Sequence, residues 1–231
     1  MPPLPRLSAA LVAAAAVAGW LAVASPASAD VTGSTATDDV VLYDHCQTHD
    51  ITYDLLVGPG TSLWRLEIQV ADPHGFLSQG TVVNSAADPA TSGTIQFSFC
   101  GSEPTGTYTV RATGFYEIIP AVQIPFTLPE TTFKVRPAAT RTTLAQRELG
   151  QGRHRLTAHV REQGDHGYER ADGIPVSLQR RVHGQWQRVR GLTLTTVHGA
   201  AVATLSTPGT YRAVAAAGGN HAASVSAPVK V

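Results

Sequence analysis

Arg153, Arg155, His159 and Arg161 fall at alternate positions of one short stretch, with Thr157 completing the row. Side chains two residues apart share a face of a β-strand, so this spacing lays a basic stripe along one surface. Guanidinium groups hold phosphate and carboxylate oxygens through two parallel N–H donors. An anionic polymer of the cell envelope, or another surface protein, is the partner that suits such a stripe. The competing reading is a solvated outer face whose arginines keep a strand from pairing with a neighbour. No aromatic side chains are interleaved with these arginines as stacking platforms for bases, so nucleic acid is not an expected partner.

A second cluster is His45, Cys46, His49 and Asp50. Histidine, cysteine and aspartate all ligate zinc, and Asp38, Asp39, Asp44 and Asp54 add carboxylates of the kind calcium takes. The spacing matches neither a closed zinc site nor an EF-hand loop. The expectation is therefore no metal and no cofactor, with His45, His49 and Asp50 the candidates in the alternative, an extracellular calcium- or zinc-binding protein. Cys46 has a partner in Cys100, the other of two cysteines. An even pair in an exported chain reads as a disulfide, worth about 4 kcal/mol in the chain-entropy account. The chain carries no Gly-x-Ser-x-Gly elbow, no His-Glu-x-x-His, no phosphate-binding glycine loop and no paired-cysteine metal motif. No catalytic residues are expected.

The elements that must position these residues are strands. Ile51, Tyr53, Leu55 and Val57 share one parity; Trp64, Leu66, Ile68 and Val70 alternate with Arg65, Glu67, Gln69 and Ala71. Ile95, Phe97 and Phe99 repeat the pattern, as do Tyr108, Val110 and Ala112. Period-two alternation of this kind marks half-buried antiparallel strands. Gly58-Pro59-Gly60, Asp72-Pro73-His74-Gly75 and Glu103-Pro104-Thr105-Gly106 supply the turns between them. Farther on, Leu156, Ala158 and Val160 form an inward set, His183-Gly184 a turn, and Val225, Ala227, Val229 and Val231 a closing strand. Cys46 and Cys100 leave the core parity of their strands. That places their bridge at a domain end or on an outer face.

Two stretches about one hundred residues apart repeat each other, a period that is one whole β domain rather than a solenoid unit. Ser92-Gly93-Thr94-Ile95-Gln96-Phe97 leads to Gly106-Thr107-Tyr108-Thr109-Val110; His198-Gly199-Ala200-Ala201-Val202-Ala203 leads to Gly209-Thr210-Tyr211-Arg212-Ala213. The expected fold is all-β: two tandem immunoglobulin-like antiparallel sandwiches over residues 30–136 and 137–231, with a hinge at Arg136-Pro137-Ala138-Ala139. The second half resembles the Ig-like domains of bacterial secreted and cell-surface proteins. The resemblance lies in Gly173-Ile174-Pro175-Val176-Ser177-Leu178-Gln179-Arg180-Arg181, then Gly184-Gln185-Trp186-Gln187-Arg188-Val189, then Gly209-Thr210-Tyr211-Arg212. It implies an extracellular spacer or adhesion-type module and carries over no catalytic residue. In that topology a second basic group, Arg180, Arg181, Arg188 and Arg190, belongs to the sheet opposite the stripe.

The neutral net charge hides a split. Residues 30–136 hold twelve acidic and four basic side chains, a formal −8; residues 137–231 hold five acidic and twelve basic, a formal +7. Asymmetry between halves points to polyanion binding by the basic half. Residues 1–29 read as a signal peptide: Arg6, an apolar run from Ala9 to Ala24, and the small-residue site Ala27-Ser28-Ala29. The apolar run is shorter than a membrane span, so none is expected in the mature form. The sequence thus describes a secreted, non-catalytic binding module associated with anionic envelope polymers. A spacer without a specific ligand is the remaining reading, and the sequence leaves the oligomeric state open.

Overall fold

The computed structural model describes residues 30–118 and 122–231; the expected signal peptide, residues 1–29, lies outside the described residues. Every regular element described is a β-strand.

The first half runs β1 (Val31–Thr37), β2 (Val40–Leu42), β3 (Gln47–Val57), β4 (Leu63–Ala71), β5 (Leu77–Asn84), β6 (Ser92–Phe99), β7 (Gly106–Glu117), β8 (Gln123–Thr127) and β9 (Thr131–Pro137). One sheet has the order β1-β3-β6, the other β2-β9-β7-β4-β5 with β8 also on β7. The alternation explains the layering. Ile51, Tyr53 and Leu55 of the first sheet meet Trp64, Leu66, Ile68, Val70, Tyr108 and Val110 of the second in a single buried cluster. Ala71 departs from its expected outward position and is buried, because the β4–β5 register shifts between Val70 and Ala71. A bulge of this kind breaks the period of two. Asp38 and Asp39 lie where the chain passes from β1, antiparallel to β3, to β2, parallel to β9. Asp39 anchors that crossing: its carboxylate accepts from the Lys134 backbone N–H at 2.8 Å and pairs with Arg136 at 3.2 Å.

The second half runs β10 (Thr140–Gly150), β11 (Arg153–Gly164), β12 (Gly167–Arg170), β13 (Pro175–Val182), β14 (Gln185–Arg188), β15 (Leu194–Thr195), β16 (Ala200–Leu205), β17 (Thr210–Ala215), β18 (Ser224–Val225) and β19 (Val229–Lys230). Its sheets are β10-β11-β12, with β16 also on β11, and β14-β13-β17-β18, with β15 on β13 and β19 on β17. Leu156, Ala158 and Val160 face Val176, Leu178, Tyr211 and Ala213 across a second core. Alanine fills many positions here that larger side chains occupy in the first core, so less apolar area is buried per residue.

A further expectation is corrected. The closing strand is not continuous: Val225 is 50% exposed and Ser226 is buried in its place. The Ser226 hydroxyl accepts from the Ala213 N–H at 2.9 Å, and Ala227-Pro228 separates β18 from β19. Within the expected hinge, Ala138 is tied to the second half. Ala138 is fully buried, donates to Asn220 O at 2.7 Å and accepts from Ala222 N at 2.8 Å.

Candidate functional site

The stripe on β11 faces outward: Arg153, Arg155, His159 and Arg161 are all exposed, while Leu156, Ala158 and Val160 between them are buried. Pairing widens the stripe into a face. Arg161 lies opposite Arg141 on β10 and opposite Arg170 on β12, so three arginines form a row across three adjacent strands. Arg155 lies opposite Arg147 in a second row. Like charges in register repel. Among the described residues the ion pairs are His45–Asp165, Arg111–Glu130 and Arg136–Asp39, so no arginine of either row is in one.

The three-arginine row lines a concavity of about 730 Å³, together with Thr143, His159, Tyr168 and His198. No acidic side chain contributes to its wall. The Arg141 guanidinium lies over the Tyr168 ring, 3.9 Å from its centre, which fixes one wall by a cation–π contact. The opposite rim is the turn His198-Gly199. Both residues have positive φ, 52° and 74°, and Val197 and Ala200 exchange backbone hydrogen bonds at 2.9 and 3.1 Å across it. That is a two-residue hairpin turn of the type that follows the twist of its strands. Gly199 is further held by its N–H to the Asp172 carboxylate at 2.6 Å and by its carbonyl, which accepts from Val160 N at 2.9 Å. A Cβ on Gly199 would lie 2.8 Å from the Arg170 Cβ.

Arg153 and Arg155 are not part of this concavity. At roughly 3.4 Å per residue they lie about 27 and 20 Å along β11 from Arg161. Arg180, Arg181 and Arg188 are on β13 and β14, in the other sheet, as expected. Arg141, Arg170, Tyr168 and His198 were not singled out from the sequence. The legible signal was the alternation on β10, where Arg141, Thr143, Ala145 and Arg147 share a parity; the pairing that sets Arg141 beside Arg161 is not written in any local pattern.

The same alternation sorts charge through the sheet. Glu162 pairs with Glu169, one step from the arginine row, and both border a smaller cleft of about 90 Å³ with Asp44 and His45 of the first half. His45 pairs with Asp165 at 3.1 Å, and Asn220 donates to Asp44. Burial, reinforced by the Asp44 carboxylate, pushes the Glu162 carboxyl up to about 7. Glu162 Oε1 is buried without a hydrogen-bond partner among the described residues.

The metal candidates are dispersed. His45 turns to Asp165, Asp50 accepts from Gln96 Nε2 at 3.2 Å, and His49 contacts the Thr37 hydroxyl at 2.6 Å with its ring against Phe99 and Phe133. Burial holds the His49 imidazole below its ordinary pKa. Among the described residues no three His, Cys, Asp or Glu side chains are grouped to hold a metal ion. Cys46 and Cys100 form a disulfide. It lies just past the last β3–β6 register pair, Gln47 with Phe99, and ties the end of one sheet.

Tyr108 and Tyr211, the matching tyrosines of the repeat, are both buried at the start of β7 and β17. Each hydroxyl donates to a carbonyl four residues back, Pro104 at 2.9 Å and Thr207 at 2.8 Å. Burial raises both phenols above their ordinary pKa. No protein-family model matches the chain, and no curated protein matches it.

Proposed function

We propose that this chain is an exported, non-catalytic binding module made of two tandem immunoglobulin-like sandwiches. It associates with anionic polymers of the cell envelope through the outer face of β10, β11 and β12. The observation that carries this reading is the row Arg141–Arg161–Arg170, in register across three strands and lining a concavity with no carboxylate in its wall. A surface that holds three like charges together without ion-pair partners is stabilised by an anionic ligand. The size of the concavity falls in the range of small-molecule sites, enough for one or two sugar units of a polymer. Arg155 and Arg147 extend the basic surface along β11, where a polymer can continue.

The immunoglobulin-like assignment draws support from the paired tyrosine hydrogen bonds. A tyrosine at the start of the corresponding strand, bonded to backbone a few residues upstream, is a hallmark of that fold. Two separate cores, on either side of Pro137, support the division at residues 136 and 137. The disulfide supports an oxidising compartment and hence export.

Cosedimentation with isolated bacterial envelope tests the reading. The protein is expected to pellet with the envelope at low salt, and Arg141→Ala/Arg161→Ala/Arg170→Ala to remain in the supernatant. No pelleting of the unsubstituted protein at low salt contradicts it.

A further inference from the structure

Resting on the reading of the β10–β12 face as an anion site, we infer that the concavity is a phosphomonoester subsite that takes the phosphorylated end of a sugar. Three arginines stand in register on three strands spaced roughly 4.8 Å apart and line one concavity. A carboxylate offers two oxygens and one negative charge, which a single bidentate arginine satisfies. That leaves two arginines of the row without an anion. A phosphomonoester presents three terminal oxygens and about −1.5 to −2 charge at neutral pH, with acceptors pointing in as many directions as there are arginines. The absence of any carboxylate among the lining residues favours the more highly charged ligand for the same reason.

The remainder of the cavity assigns the rest of the ligand. Its volume of about 730 Å³ far exceeds one phosphate, and the wall beyond the arginines is Tyr168 with the backbone of Gly199 and Ala200. Arg141 already covers one face of the Tyr168 ring, so that ring is a fixed, half-buried wall rather than a free stacking platform. Sugar rings, with apolar faces and hydroxyl edges, suit a wall that combines an aromatic edge with hairpin backbone. His159, on the central strand between Thr143 and Ala200, and His198, in the rim turn, also line the cavity and offer ring nitrogens to hydroxyls or phosphate oxygens.

The test is calorimetric titration of the purified protein with glucose 6-phosphate, inorganic phosphate and glucuronate at constant ionic strength and neutral pH. Glucose 6-phosphate is expected to bind at least tenfold more tightly than glucuronate, and more tightly than inorganic phosphate. Arg161→Gln/Arg170→Gln is expected to lose tenfold or more in glucose 6-phosphate affinity. Arg188→Gln/Arg190→Gln, which removes equal charge away from the concavity, is expected to lose less than twofold. Circular dichroism of both variants verifies that they fold. Inorganic phosphate binding as tightly as glucose 6-phosphate overturns the sugar part of the inference and leaves a free-phosphate site. Glucuronate binding as tightly as glucose 6-phosphate, or equal losses in the two variants, overturns the phosphate subsite. If envelope cosedimentation persists under that last result, the polyanion reading stands without it; if cosedimentation also fails, both fall.

Discussion

Arg161 stands between two like charges, Arg141 on one side and Arg170 on the other. One residue farther, Glu162 points the other way, into the cleft beside Asp44, and its carboxyl is pushed up to about 7 by burial and then by that neighbour. His45, Glu169 and Arg170 also border the cleft. An acid whose folded pKa exceeds its unfolded value holds its proton longer in the folded chain, so stability falls as pH rises between the two. For Glu162 that window runs from about 4.5 to about 7. Glu162→Gln is expected to flatten this part of the pH–stability profile and to raise stability at pH 7.5 by on the order of 1 kcal/mol, discounted for solvent access. Urea denaturation at pH 5 and pH 7.5 measures it. A larger stability gap in the variant would place the Glu162 charge in a favourable setting instead.

At the scale of elements, the concavity depends on a turn. His198-Gly199 supplies its rim, and Gly199 combines positive φ with a close approach to the Arg170 side chain. Gly199→Ala is expected to displace Arg170, cost about 1–2 kcal/mol in stability, and weaken envelope binding severalfold. Thermal denaturation with the cosedimentation assay checks both effects; unchanged binding would show that Arg170 does not need its present position. Element patterns were also what the sequence conveyed best. Ile51, Tyr53 and Leu55, like Leu156, Ala158 and Val160, lie inward because a strand's period is two and nothing interrupts it. The same reasoning failed at Val225 and Ala71. Ser226 takes the inward position just before the Ala227-Pro228 break, and Ala71 sits at the register shift that ends β4, so both lie where a strand stops being regular. The arginine row was legible only in part. Arg161 shows in its own strand, but Arg141 is twenty residues upstream and joins it only through β10–β11 pairing, a long-range choice that no local spacing encodes.

At the scale of the whole molecule, charge is distributed by half and by face. The first half is acidic and the second basic, a division plain from the sequence. Within the second half, the sheet directs Arg141, Arg161 and Arg170 to one cavity and Glu162 toward the junction with the first half. That junction is bridged by Asp44 with Asn220 and by His45 with Asp165. On the proposed function, the arginines of β10–β12 are the surface that would meet a negatively charged wall. Electrostatic association of this kind weakens as salt screens and competes for the charges.

The salt dependence of envelope binding addresses that claim most directly. Cosedimentation over a series of salt concentrations would be measured for the unsubstituted protein, for Arg141→Ala/Arg161→Ala/Arg170→Ala and for Arg153→Ala/Arg155→Ala. Binding by the unsubstituted protein is expected to fall steeply with salt, to be lost in the first variant, and to persist with a shallower salt dependence in the second. Salt-insensitive binding, or equal binding by all three proteins, would contradict an arginine-lined anion site on this face.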